Sequence, residues 1–511
     1  MRGWLGYPIG GATIDSIIFE IERAIRLAGE GKRHMTRKIT RSTFLMGVGG
    51  AALLAALRPS ERVRAQSARP NILWIIDDDH PQYMMDPMPT VRRRIRDAGV
   101  NFTSGSADVP LCGPARVSLL TGLSITTHEC DTNGTWPQFE GSPRGLAERT
   151  VAKHLKGVGY ATGHFGKYIN AHARSLNVPA YWDRWCETLG DGMDQGNNAQ
   201  VPNRANVDGL LTDVLDQIPS GWGADRCAEF IRDRSGGPWF AQYCPTIPHQ
   251  PYYATKDSEH RFDGAKRRVS SFNERDMSDK PRWMRQLKKQ DQADISREFE
   301  GKKEELADLD LLGIRPILTA LYQTRQLANT YIFFTSDNGY LHGEHRLRKK
   351  DQPYWESSEV PFFVRGPGIG RDVRAALVNH TDFMPTTCAL AGIPYSTLDV
   401  DGRSMASSLK SSNFSGWRKR MLITGSQDTG PQMNPGGAHN PSGRWWLLRE
   451  GSMAFIMHEN GAKELYWLKS DPHQEHNKRP KAKQSLINRL TDTTRALRGA
   501  EGESRRRLEV R

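Results

Sequence analysis

From residue 66 onward the chain alternates unbroken apolar runs with stretches of helical periodicity. The first run, 71–76 (Asn-Ile-Leu-Trp-Ile-Ile), stops abruptly at Asp77-Asp78-Asp79. An apolar run of that length, without polar alternation, is what a strand buried on both faces requires. Further runs stand at 238–243, 331–335 and 360–364, with helical patterns between them at 151–155 and 309–327. This alternation predicts an α/β fold: a large, mostly parallel sheet flanked by helices, with its ligand site beyond the carboxyl ends of strands. The charged, weakly patterned stretch 255–305 predicts surface helices and a long loop beside that site. After Asp401-Gly402-Arg403-Ser404 short strand-like pieces follow at 421–423, 444–448 and 453–457. The predicted organisation is a main domain over 66–409, a smaller C-terminal α+β unit over 410–480 and a tail over 481–511.

Composition narrows the class. Of 511 residues, 37% are hydrophobic and 25% charged, which excludes disorder as the main state. Residues 1–65 carry a net charge of +6 and residues 476–511 a net of +7, which together account for the whole +13. A neutral body with basic ends is no phosphate-tracking surface, so no nucleic-acid partner is expected. Arg505-Arg506-Arg507 reads as part of a solvated basic tail. Six cysteines without any C-x-x-C spacing argue against structural zinc and against a disulfide-dense scaffold.

The N-terminus reads as an address. Thr40-Arg41-Ser42-Thr43-Phe44-Leu45 precedes a small-sided apolar stretch at 47–57 and a small-residue exit at Val63-Arg64-Ala65. That stretch is too short to span a bilayer well and fits a cleaved export signal, so a periplasmic or extracellular protein, not an integral membrane one, is expected. The signal is twin-arginine-like, with Ser42 in place of the second arginine, and Met35 offers an alternative start.

Two strand ends carry candidate chemistry: Asp78 and Asp79 after the first run, Asp337 and Asn338 after the run at 331–335. One Asp-Asp pair alone reads as a cap or turn. Two pairs, each ending a buried run, converge at one sheet edge. Three carboxylates and an amide suit a hard divalent cation, calcium before magnesium, and suit zinc poorly.

The segment Cys112-Gly113-Pro114-Ala115-Arg116, followed by Ser118-Leu119-Leu120-Thr121-Gly122, resembles the signature of the formylglycine-dependent type I sulfatases of the alkaline phosphatase superfamily. The resemblance runs in order along the chain. It takes in 69–79, the lysine-bearing stretch Gly159 to Tyr168, Pro248-His249-Gln250-Pro251, Thr335 to Gly339 with Gly343-Glu344-His345, and Lys350 ahead of Tyr354. It continues through Asp382-Phe383-Met384-Pro385-Thr386 and 465–472.

The resemblance implies that a formylglycine-generating maturation enzyme oxidises Cys112, and that the aldehyde hydrate is the nucleophile. One geminal oxygen would attack sulfur and the other would expel sulfate, an exit that a serine ester lacks. It further implies metal ligation by Asp78, Asp79, modified Cys112, Asp337 and Asn338. Arg116 would orient the hydrate, Lys167 and Lys350 would bind sulfate, and His249 would bind substrate and protonate the leaving group. The isoleucine in Lys167-Tyr168-Ile169-Asn170 replaces a histidine common in the family, and His128 or His172 becomes a candidate base, with His128 also a substrate contact. His345 is a candidate support for the metal residues. The Gly-Lys-Tyr-x-Asn version resembles the N-acetylglucosamine-6-sulfatase branch, beside the arylsulfatases. The expected partner is therefore a glycan or small-molecule sulfate ester, met by loops at 130–146, 182–206 and 255–303. Two other readings share the fold: a phosphonate monoester or phosphodiester hydrolase, and a non-catalytic carbohydrate-binding protein.

Overall fold

The computed structural model describes residues 69–174, 176–189, 204–214, 219–411, 413–427 and 443–511. The export signal lies outside these residues, as does much of the loop at 182–206. Strands β1 (Asn71–Asp77) and β2 (Val100–Ser106) precede β3 (Ala161–Gly166), β4 (Arg184–Thr188) and the hairpin β5 (Arg204–Val207) to β6 (Leu210–Asp213). Then come β7 (Trp239–Cys244), β8 (Thr330–Ser336) and a short ribbon of β9 (Leu341–His342) with β10 (Arg348–Lys349). β11 (Phe362–Arg365) and β12 (Asp372–Asn379) complete a ten-stranded sheet in the order β12-β2-β11-β8-β1-β7-β3-β4-β5-β6.

The middle of the sheet, β8-β1-β7-β3-β4, is parallel as the buried runs predict. The run at 360–364 departs from that rule. As β11 it lies antiparallel to both β8 and β2, because the chain turns back from the site end of β8 without a crossover helix. The alternating side chains of β1 explain its unbroken apolarity. Ile72, Trp74 and Ile76 enter one core with Phe240 and Phe333, while Leu73 and Ile75 enter the opposite core with Ala241 and Phe334. Helix α1 (Cys112–Thr121), α2 (Val151–Gly157) and, later, α6 (Phe383–Leu390) supply residues to the first core; α3 (Pro219–Asp233), α4 (Gln292–Asp308) and α5 (Arg315–Gln323) supply the second.

The C-terminal pieces form an antiparallel sheet of β13 (Arg420–Thr424), β14 (Trp445–Glu450), β15 (Met453–His458) and β16 (Lys463–Trp467). Helix α7 (Gln484–Arg498) covers one face, placing Ile487, Leu490 and Leu497 on Leu422, Trp446 and Leu448. The solvated tail predicted for 481–511 is therefore corrected. After α7 the chain forms α8 (Gly502–Val510), and Arg505 is only 3% exposed. The arginines there find partners that neighbouring sequence cannot reveal: Arg505 donates to Ser124 Oγ at 3.1 Å and Arg506 to the Val400 carbonyl. Among the described residues no helix is long and apolar enough to cross a membrane.

Candidate active site

The parallel register of β1 and β8 pairs Asp77 with Ser336, so the residues that leave both strands stand side by side. The Asp337 amide donates to the Asp77 carbonyl at 3.1 Å, and the Asp79 amide to Asp337 Oδ1 at 3.3 Å. Asp79 turns with φ +62°, a left-handed conformation that aspartate adopts more readily than most residues. Asp78, Asp79, Asp337 and Asn338 are all buried.

Helix α1 brings the cysteine to these strand ends. Cys112 opens the helix, Pro114 sits in its first turn where a missing amide hydrogen costs little, and Arg116 lies one turn on, along the same face. Every residue of α1 is buried. The second position needs glycine, since a Cβ on Gly113 would meet Thr135 Oγ1 at 2.0 Å. Cys112 Sγ lies 3.4 Å from Asp78 Oδ1, 3.9 Å from Asp79 Oδ1 and 3.4 Å from Asn338 Oδ1. The Arg116 guanidinium donates to Asp337 Oδ2 at 2.9 Å and to the Lys167 carbonyl at 3.0 Å, with Asp78 Oδ2 at 3.5 Å.

Two lysines and a histidine close the ring. Gly166, at φ +107° with the Cys244 carbonyl pressed against it, ends β3 and delivers Lys167, whose ammonium pairs with Asp78. Lys350 follows β10; its ammonium pairs with Asp79 and stands 2.7 Å from Cys112 Sγ. His249 is a quarter exposed, with Nε2 3.8 Å from Asp79 Oδ2 and Nδ1 2.6 Å from the Gln250 carbonyl.

The electrostatics are those of crowded carboxylates. Burial opposes the Asp78 charge, yet Lys167, His249 and Arg116 outweigh it and hold the carboxyl well below its ordinary range. Asp79, likewise opposed by burial, is lowered to about 2 by Lys350 and its neighbours. Asp337 goes the other way: burial and the Asp78 charge push it up to about 6 in spite of Arg116. Burial is the larger cause, and with the Asp78 charge it outweighs Arg116 at this one carboxyl. Potential ligand atoms of Asp78, Asp79, Cys112 and Asp337 all lie within 4.8 Å of one another. The donors are hard oxygens with the Asn338 amide beside them, a set that fits calcium or magnesium. Burial, Asp337 and Asp78 also hold the Cys112 thiol well above its usual range, so it is no thiolate at neutral pH. Burial pulls His249 down to about 4, against the attraction of Asp79 and Asp78.

The structure thus brings together Cys112, Arg116, Lys167, His249, Lys350 and the four strand-end residues. Three other histidines go elsewhere. His128 accepts from the Cys130 amide on Nδ1 at 3.0 Å, which leaves Nε2 to donate to Ser118 Oγ at 3.0 Å; the ring supports α1 from behind. His172 pairs with Glu187 at 2.8 Å, and His345 with Glu274 at 2.6 Å. A residue that the reading of the sequence passed over does reach the site. Lys302, fully buried on α4, donates to the Asp79 carbonyl at 3.2 Å and the Pro248 carbonyl at 2.7 Å. Its signal was the spacing of Glu298, Lys302 and Glu305 along one helix face, hidden in a charged stretch.

The chain is 28% identical over 391 residues to an extracellular sulfatase SULF-1 homolog of Drosophila melanogaster, covering 72% of this chain and 34% of that protein. It is 27% identical over 392 residues to human N-acetylglucosamine-6-sulfatase, covering 71% of this chain and 68% of the relative. The chain spans about half or less of the length of two extracellular-sulfatase relatives it matches. Its fold is similar to that of a protein solved with its substrate D-glucosamine-2-N,6-O-disulfate, at a TM-score of 0.70, 20% identity, and coverage of 84% of this chain and 96% of that one. The sulfatase family model matches residues 70–393, more than half of the sequence, and the chain belongs to the sulfatase family.

Proposed function

We propose that this protein hydrolyses sulfate esters of glycans, with a formylglycine made from Cys112 by a maturation enzyme and a divalent cation, calcium first, held by Asp78, Asp79, Asp337 and Asn338. The observation that carries the reading is the position of Cys112 Sγ, within 3.9 Å of Asp78, Asp79 and Asn338 and 2.7 Å from the Lys350 ammonium. The sulfur stands in for an oxygen of the hydrated aldehyde. A bound cation would supply the positive charge that draws sulfate oxygens into the cluster.

The chain's own groups do the rest. Arg116, bonded to Asp337 and reaching Asp78, fixes the nucleophile end of α1 against the cation loop. Lys167 and Lys350, each paired with one carboxylate, are placed to bind sulfate oxygens, and their ammonium groups would be released for it once those carboxylates held a cation. His249 is neutral near pH 7, its Nδ1–H donated to the Gln250 carbonyl. Nε2, on a ring a quarter exposed, therefore takes up a proton from solvent and passes it to the leaving oxygen, whose developing charge favours that uptake.

The glycan substrate, with an amino-sugar sulfate foremost, rests on the Gly-Lys-Tyr-x-Asn stretch and on the names of the relatives above. Export of the protein rests on the signal-like segment at 40–65 and on the extracellular relatives. The test has two arms. Mass spectrometry of the Cys112 peptide from active protein should show the aldehyde or its hydrate; activity with thiol alone overturns the nucleophile. Initial rates on the sulfate and phosphate esters of one phenol, then on sulfated sugars, should favour sulfate. A clear phosphate preference points to the phosphonate or phosphodiester hydrolase reading instead.

A further inference from the structure

Helix α4 presents a buried polar stripe at helical spacing, and its three acidic members grip the chain just past His249. Glu298 accepts from Tyr252 Oη at 3.3 Å, Glu305 from the Tyr253 amide at 2.9 Å, and Asp308 from the Thr255 amide at 2.7 Å. Gly301 lets the helix close on that segment, since a Cβ there would stand 2.9 Å from the Tyr252 ring. Lys302, in the middle of the stripe, reaches furthest. Its ammonium takes the Pro248 carbonyl, next to His249, and the Asp79 carbonyl, on the cation loop, and lies 4.0 Å from the centre of the Tyr340 ring.

A fully buried lysine that bonds two main-chain carbonyls and touches no nucleophile acts through geometry. We infer that Lys302 is a positioning residue that locks the His249 loop to the Asp79 loop, setting the distance between the leaving-group histidine and the cation. This rests on the sulfatase reading above. The left-handed turn at Asp79 has its amide held by Asp337, while its carbonyl is held by Lys302 from the opposite side. Without the ammonium, two buried carbonyls lose a charged donor and the two loops lose their common anchor. Neither Glu305 nor Asp308 can replace it, because both hold the far end of the segment.

The test compares Lys302→Met, Lys302→Gln and Glu305→Gln with wild type, using folded protein with formylglycine verified by mass spectrometry. Calcium affinity is measured by calorimetry without substrate, and amide hydrogen exchange is followed across 246–255. Lys302→Met is expected to weaken calcium binding about tenfold and lower kcat by tenfold or more, with KM moving less. Exchange at the His249 amide, now donated to Thr246 O at 3.0 Å, should quicken. Lys302→Gln, which keeps one donor group, should fall between, and it carries the test if Lys302→Met does not fold. Glu305→Gln should quicken exchange at Tyr253 and leave calcium affinity within twofold. Calcium affinity and kcat within twofold of wild type in both lysine variants, with only a lower melting temperature, would overturn the inference. Wild type that binds calcium yet cleaves no sulfate ester would instead overturn the functional reading, while the calcium and exchange arms still judge Lys302.

Discussion

Two of the clusters of buried charge in this molecule have opposite arrangements. At the strand ends Asp78, Asp79 and Asp337 face one another, with Arg116, Lys167 and Lys350 arrayed around them. Behind α6, signs alternate. Arg418 forks onto Asp382 at 2.6 and 2.8 Å and donates to Glu509 at 3.1 Å, and Glu509 also accepts from Arg403 at 3.1 Å. In the second cluster every carboxylate meets an arginine, and no further charge is called for. Burial opposes the Arg418 charge, but Asp382 and Glu509 hold it on firmly. In the first cluster, Asp337 is pushed up to about 6. A network that only stabilises keeps like charges apart. Like charges crowded at a point mark a place built for something still to arrive.

The comparison breaks or sharpens under four changes. The largest effect belongs to Cys112→Ala, expected to lower kcat on an aryl sulfate by on the order of 10⁴ with melting within a few degrees of wild type. Activity within tenfold would remove the first cluster from the chemistry. Next, Arg418→Met leaves Asp382 and Glu509 buried without their shared cation and should cost about 3–5 kcal/mol in denaturant unfolding, with kcat per folded molecule unchanged. A parallel loss of kcat would show that the two clusters are not separate in role. Third, calcium added to chelator-stripped protein should stabilise it by about 2.7 kcal/mol at a hundredfold excess over Kd, equally in Arg418→Met. Asp337→Asn should lose most of that gain.

The smallest effect concerns His128, which burial pulls down to about 3. Unfolded, it takes its proton near pH 6.5; folded, it does not, so the neutral form contributes stability that is full above pH 6.5 and lost as pH falls toward 3. At pH 5 the difference is about 2 kcal/mol. Stability measured at pH 7.5 and pH 5 should therefore differ by about that much less in His128→Gln, and an unchanged difference would show that the ring titrates alike in the folded and unfolded chain.

Much of the first cluster was legible in the sequence, because β1 and β8 are apolar runs that end in acids and a parallel register aligns their ends. The motif residues Cys112 and Arg116 were legible only through the resemblance, since their spacing alone is a weak signal; the fold sets them one helical turn apart. The second cluster was not. Its partners, Asp382, Arg403, Arg418 and Glu509, come from four separate places, so each reads alone as a solvated charge. Lys302 was hidden in the same way, since only the fold shows that its helix face is turned inward. The antiparallel β11 escaped as well, because an apolar run does not state its direction.

The burial of α1 has a consequence in time. Cys112 is 1% exposed, and the helix behind it is covered along its whole length. No second protein can close its own active site around a side chain so deep. Under the proposed function, a maturation enzyme would therefore have to meet Cys112 while the chain is still open, and the finished fold would then seal the product in. On that reading a molecule that folds first would keep its thiol, and the active fraction of a preparation would record a race between modification and folding.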